Sequence, residues 1–262
     1  MTDPRIQARR VKVERQRGHR RLRVLIGAVV LAGGVAGALA IAHSSLFSAR
    51  TVVIAGAVQT LRSEILAVTG LDREPPLIDL NTGSMQRRLE RLPWVVTASV
   101  HLDWPSTVAI AVVERVPVAA TALAAGGYAL LDATGRVLED QTSRPSALPL
   151  VAVPGVPGSP GSSLGASAQA LLATASQFPV TLLPRLQDIV ASSADGVVLH
   201  LKGGLRAIVG DDEALAQKFV SLVTVLHGVN LTGVGGIDLR VAAAPVLTPL
   251  VSASNVHGKG DG

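Results

Sequence analysis

From Val24 to Ala42 the chain runs without a charge, a stretch about 28 Å long as a helix and enough to cross the hydrocarbon layer of a bilayer. Beyond it the apolar period changes repeatedly. Thr51–Ile54 is a β-branched run closed by Ala55-Gly56, and Leu61, Ile65, Leu66 and Val68 recur near helical spacing. Pro75-Pro76 breaks that pattern. Asn81 or Thr82 can cap a second helix running through Arg91, with Met85, Leu89 and Leu92 on one face, and Pro93 stops it. Val96, Ala98, Val100 and Leu102 then alternate with polar residues, and Val108, Ile110 and Val112 do so again after the Trp104-Pro105-Ser106 turn, which predicts a hairpin. Residues 50–116 thus read as βααββ.

A second region begins beyond Pro117. Tyr128–Leu131 and Val137-Leu138 flank an Asp132-Ala133-Thr134-Gly135 turn, a further hairpin. Val153–Gly165 alternates Pro, Gly and Ser and reads as a surface loop between a strand near Leu148 and a helix over Ser167–Phe178. Leu186–Ala191, Val197–Leu201 and Leu205–Val209 are punctuated as an antiparallel meander. Asp211 or Asp212 would cap a helix whose apolar stripe is Leu215, Phe219, Leu222, Val223 and Leu226. Ile237–Val241 is the last predicted strand, after which Ala, Pro and Gly predominate and the terminus is expected to fray.

Charge sharpens the first segment. Arg5, Arg9, Arg10, Lys12, Arg15, Arg17, Arg20, Arg21 and Arg23 precede the apolar run against only Asp3 and Glu14, so the tail carries +7 and the remainder, from a total of +5, about −2. By the positive-inside rule the tail stays in the cytoplasm and the chain after about residue 45 lies outside. A cleaved signal peptide is the rival reading, with Ala38-Leu39-Ala40 as the cleavage site and Arg20-Arg21 as a faint twin-arginine signal, but the long basic region and long apolar run favour an uncleaved anchor. Cations beside a bilayer serve topology and anionic headgroups rather than nucleic acid. With no cysteine there are no disulfides, thiolate nucleophiles or cysteine metal sites.

No catalytic constellation emerges. His19, His43, His101, His200, His227 and His257 lack ligand spacing, and Ser84, Ser106 and Ser221 lack a nucleophile elbow or a Ser-x-x-Lys pattern. The glycines around Gly203 and Gly235 precede strands rather than a phosphate-binding helix. The reading is a non-enzyme with no cofactor, no metal and no small-molecule substrate.

Leu92-Pro93-Trp94-Val95, Ala98-x-Val100, Trp104-Pro105-Ser106-Thr107 and Val113-Glu114-Arg115-x-Pro117-Val118-Ala119, in that order and spacing, resemble the FtsQ/DivIB family of bacterial cell-division proteins. Leu130-Leu131-Asp132-x-x-Gly135, Leu148-Pro149-Leu150 and Ile237-Asp238-Leu239-Arg240 agree, while the long Gly/Pro-rich loop and the lack of an aromatic after Asp-Leu-Arg depart from some relatives. The resemblance implies an α+β chain: a basic cytoplasmic tail (1–23), one transmembrane helix (24–44), a βααββ POTRA domain (48–117), a mainly antiparallel β domain with flanking helices (118–250) and a flexible tail (251–262). It implies a single-pass septal protein of the cell membrane whose β domain binds FtsB/FtsL-type coiled-coil proteins and whose POTRA domain aids recruitment.

A strand at a sheet edge offers unpaired N–H and C=O groups to an added partner strand. Ile237, Asp238, Leu239, Arg240 and Val241 are therefore the expected partner-binding residues. Arg240 is the preferred contact to a partner carboxylate, the plainer reading being an ordinary surface arginine. Alternation places Ile237, Leu239 and Val241 toward the core. Glu114 and Arg115 are expected in an interdomain polar contact, and Trp94 and Trp104 as core or hinge anchors. The alternative function is a membrane-anchored POTRA-type chaperone or export module, disfavoured by the single copy of the unit.

Overall fold

A computed structural model describes residues 4–250, with side chains from residue 22 onward; residues 1–3 and the expected flexible tail, 251–262, lie outside the described residues. The chain forms two compact units, one comprising the residues up to Leu89 with Ala98–Val112, the other Glu90–Thr97 with Val113 onward.

In the first unit, helix α1 spans Pro4–Ala42, and its stretch Leu22–Ala42 is apolar enough to cross a membrane and packs against nothing. Exposed Leu, Val and Ile on every side are costly in water and suited to lipid. A short 3₁₀ turn, Ser45–Phe47, leads to β1 (Thr51–Ala55), α2 (Arg62–Thr69) and α3 (Thr82–Leu89). Asn81 caps α3 as expected, its Oδ1 accepting the Ser84 N–H at 2.9 Å. α3 ends at Leu89 rather than Arg91. β2 (Val95–Asp103) and β3 (Thr107–Glu114) complete a sheet of order β1-β3-β2, with β1 parallel to β3 from Thr51↔Thr107 to Ala55↔Ala111. Ile65, Met85, Leu89, Ala98, Val100, Val108, Ile110 and Val112 are buried. Gly56 must be glycine: its φ is +82°, and a Cβ there would meet the Val112 carbonyl oxygen at 2.0 Å. The expected alternation fails at the start of β2, where Val95 is buried and Val96 exposed; both fall in the other unit.

The second unit holds two sheets. β4 (Pro117–Ala122), β5 (Tyr128–Asp132) and β6 (Val137–Gln141) form an antiparallel sheet in that order. β7 (Val151–Ala152), β8 (Leu186–Ser192), β9 (Gly196–Leu201), β10 (Arg206–Gly210), β11 (Val234–Asp238) and β12 (Val246–Pro249) form the larger one, ordered β12-β11-β10-β9-β8-β7. The β8–β9–β10 meander is antiparallel as predicted, whereas β7 pairs parallel to β8 and β11 parallel to β10. α4 (Gln169–Gln177) precedes β8 and α5 (Leu215–Gly228) follows β10. Neither Asp211 nor Asp212 caps α5. Ala214 holds that position with φ +50°, and Asp211 instead accepts the buried Lys218 ammonium at 2.5 Å. Leu171, Leu172, Phe178, Ile189, Leu199, Val209, Phe219, Leu222 and Ile237 fill one core, with Phe178 edge-on to Phe219 at 5.5 Å. Trp94 packs on a satellite cluster of Ala120, Leu130 and Leu138.

Candidate partner-binding edge

The end of the larger sheet differs from the expectation in a way that moves the site. The predicted last strand, Ile237–Val241, is instead β11, Val234–Asp238, and it is not at the edge: β12 pairs with it antiparallel, Ile237 opposite Leu247 and Asp238 opposite Val246. Ile237 and Leu239 fill the core as expected, but Val241 is 63% exposed. The cause is local. The Asp238 carboxylate accepts the Arg240 N–H at 3.0 Å, an Asx-type turn that ends the strand and turns the chain outward before Val241.

Arg240 also departs from an open guanidinium. Its Nε and Nη2 bond both oxygens of Asp238 at 2.5–3.1 Å, a bidentate pair within the same turn. The hydrogen bond from Arg240 holds the Asp238 carboxyl below the usual carboxylate range, against a smaller upward push from burial. The guanidinium itself remains about half exposed.

β12 owes its position to two glycines. A Cβ at Gly235 would meet the Leu250 backbone at 3.0 Å, and one at Gly236 would meet Thr248 Oγ1 at 2.5 Å, so bare backbone in β11 lets the last strand approach. Leu250 donates its N–H to the Gly233 carbonyl at 2.8 Å. Alternation along the strand then turns Thr248 and Val246 toward β11 and leaves the Leu247 N–H facing away from the sheet. The flanking outward positions are Pro245 and Pro249, which have no N–H. The free edge therefore presents one amide donor between two prolines, and among the described residues no strand pairs with it on that side. All four residues of β12 are exposed. Ala216, Gln217, Val220, Ser221, Ala242 and Ala243 line an open, mostly apolar groove of about 390 Å³ between α5 and the segment that leads to β12.

β12 escaped the sequence reading because Pro245 and Pro249 demote a four-residue strand. The signal that could have found it is Gly235-Gly236, adjacent glycines within a strand pattern, which mark a close backbone approach.

The remaining residues separate. Arg115 lies in the second unit, where its Nη1 bonds the Asp132 carboxylate at 2.6 Å and its Nε the Val95 carbonyl at 3.1 Å. Asp132 also accepts the Thr134 N–H and hydroxyl and the Arg136 N–H. Arg136 reaches the Arg91 carbonyl at 2.9 Å, so two arginines and one carboxylate fix the 91–95 segment. Burial alone would raise the Asp132 carboxyl, but the bonds from Thr134, Arg115 and the Arg136 backbone outweigh it and hold the group low. Burial and the neighbouring Arg115 charge lower Arg136, with Asp132 opposing them. Glu114 is half-buried at the end of β3. Trp94 is a packing anchor, whereas Trp104 is exposed at a hairpin tip, its ring 5.9 Å from Phe47. Among the described residues, no three His, Cys, Asp or Glu side chains converge to hold a metal ion.

Comparison with known proteins bears on both units. Residues 47–115 match the model of the FtsQ-type POTRA domain and residues 120–240 that of the C-terminal region of the cell division protein FtsQ/DivIB. The chain is 26% identical over 242 residues to the cell division protein FtsQ of Streptomyces bingchenggensis, covering 88% of this chain and 90% of that one. It is 28% identical over 208 residues to FtsQ of Mycolicibacterium smegmatis, covering 79% of this chain but only 60% of the relative's length. Among solved structures, the major extracytoplasmic domain of the cell division protein DivIB from Geobacillus stearothermophilus aligns with 45% of this chain and 98% of that one, at 18% identity and a TM-score of 0.29. With both units matched by FtsQ-type models and one relative aligned over 90% of its length, the chain belongs to the FtsQ/DivIB family of bacterial cell-division proteins.

Proposed function

We propose that this protein is a non-enzymatic scaffold of the division machinery at the septum, held in the cell membrane by Leu22–Ala42 with its N-terminus cytoplasmic. It captures an FtsB/FtsL-type coiled-coil partner by strand addition at the free edge of β12. The observation that carries this reading is the single outward amide of Leu247 on a strand with no neighbour on its far side among the described residues. Backbone pairing there supplies register. The groove beside α5 can receive an apolar partner side chain, and the exposed part of Arg240 can share its donors with a partner carboxylate. The expected binding residues thus shift from the Ile237–Val241 segment to β12, with Arg240 retained at its flank.

Leu247→Pro tests this directly. The substitution removes the one outward donor and no bond to β11, so β12 stays in place while capture of the coiled-coil partners in a pull-down falls by about tenfold or more. Arg240→Glu should weaken capture by a further charge mismatch. Undiminished capture by the proline variant would sink the edge reading.

A further inference from the structure

We propose that the first unit rests on the outer bilayer surface through Leu46, Phe47, Ile78 and the hairpin-tip Trp104, so that the domain is seated on lipid rather than hanging from a loose linker. The inference rests on the reading that Leu22–Ala42 spans the membrane. Leu46 is 65% exposed, Trp104 55% and Ile78 45%, and Trp104 is one of only two tryptophans in the chain. A tryptophan left half in water on a soluble face is wasteful, whereas the headgroup boundary accommodates its apolar ring and its N–H together.

Chain geometry fixes what covers this surface. Phe47 follows the end of the apolar helix by five residues, and at about 2 Å per residue in a tight turn it lies within roughly 10 Å of the hydrocarbon boundary. That is about the depth of the headgroup layer. The connection after the helix is tied to both the hairpin tip and the 75–79 segment that carries Ile78. The Asp79 carboxylate lies 3.3 Å from His43 Nε2, positioned to accept from it, and the Leu39 carbonyl lies 2.8 Å from the other ring nitrogen, Nδ1. Ala49 donates to the Pro75 carbonyl at 2.9 Å. Arg50 and Thr51 both donate to the Ser106 carbonyl at 3.1 Å, two residues beyond Trp104. The Phe47 and Trp104 rings then meet at 5.9 Å, inclined by 57°, making one apolar surface from the linker and the tip. The occupant is the interfacial zone of a phospholipid bilayer.

The test is tryptophan fluorescence of the full chain in phospholipid vesicles, with and without bromine atoms high on the acyl chains. In a Trp94→Phe background, which reports Trp104 alone, brominated lipid should reduce emission roughly twofold and iodide in the external water should have little effect. In Trp104→Phe, which reports Trp94 in its apolar cluster, bromine should change nothing. The unsubstituted chain, with both tryptophans, should show an intermediate loss without relying on either variant's folding. Carbonate extraction of the same vesicles separates the two premises. A chain that stays in the membrane while Trp104 is quenched by iodide and indifferent to bromine overturns the seating and leaves the span intact. A chain released by carbonate overturns the span, and the seating with it.

Discussion

Replacing Asp132 by alanine should be among the most damaging single changes in the second unit. The carboxylate is 6% exposed and accepts four hydrogen bonds, from Arg115 Nη1, the Thr134 N–H, the Thr134 hydroxyl and the Arg136 N–H. Its loss would leave the Arg115 guanidinium, itself only 16% exposed, beside Arg136 without the carboxylate it pairs with. Breaking a buried pair by removing one partner costs about 3–5 kcal/mol. For a unit of this size that lowers the melting midpoint by roughly 10 °C. The emission of Trp94, which packs within the same unit, followed during thermal unfolding of the detergent-solubilised chain in a Trp104→Phe background, supplies the assay. Asp132→Asn should cost less, about 2 kcal/mol, since it keeps the volume and part of the bonding. The sign of the pH dependence follows from the lowered carboxyl. A folded value below the unfolded one gives stability that is complete above the unfolded value of about 3.9 and lost as pH falls through the folded value, so the gap between wild type and Asn should be flat near neutrality and close in acid. A midpoint for Asp132→Ala within about 1 °C of wild type would refute the reasoning.

Gly235→Val places a Cβ against the Leu250 backbone, which cannot rotate away, and should dislodge β12. Partner capture should fall by about tenfold or more while the thermal midpoint barely moves, because β12 buries none of its four residues; circular dichroism melts and a pull-down check both. An uncleaved anchor predicts an intact mass that includes the arginine-rich tail and a chain that stays with the membrane fraction; a mature protein beginning near Ile41 or Ser44 would contradict it.

Legibility of the fold tracked the strength of the local period. The βααββ unit, the 128–138 hairpin and the β8–β10 meander declare themselves through alternation and turn residues, and the structure reproduces them. Elements escaped where two rules conflicted. At β12, two prolines masked a strand whose pairing depends on glycines ten or more residues earlier. At α5, acidic residues in cap-like positions serve a buried lysine. Arg240 is about half exposed, and its pairing with Asp238 depends on a turn that alternation alone does not foretell. The exposure of Trp104 was hidden for a similar reason: its neighbour, Phe47, lies more than fifty residues away and meets it only through the folded hairpin.

The most direct test of the account is amide hydrogen exchange at Leu247, followed residue by residue with and without the coiled-coil partner. Strand addition predicts that this outward amide exchanges fast in the free protein and becomes strongly protected in the complex, with Thr248 and Val246 little changed. Continued fast exchange at Leu247 in a saturated complex, with new protection confined to another surface, would contradict it.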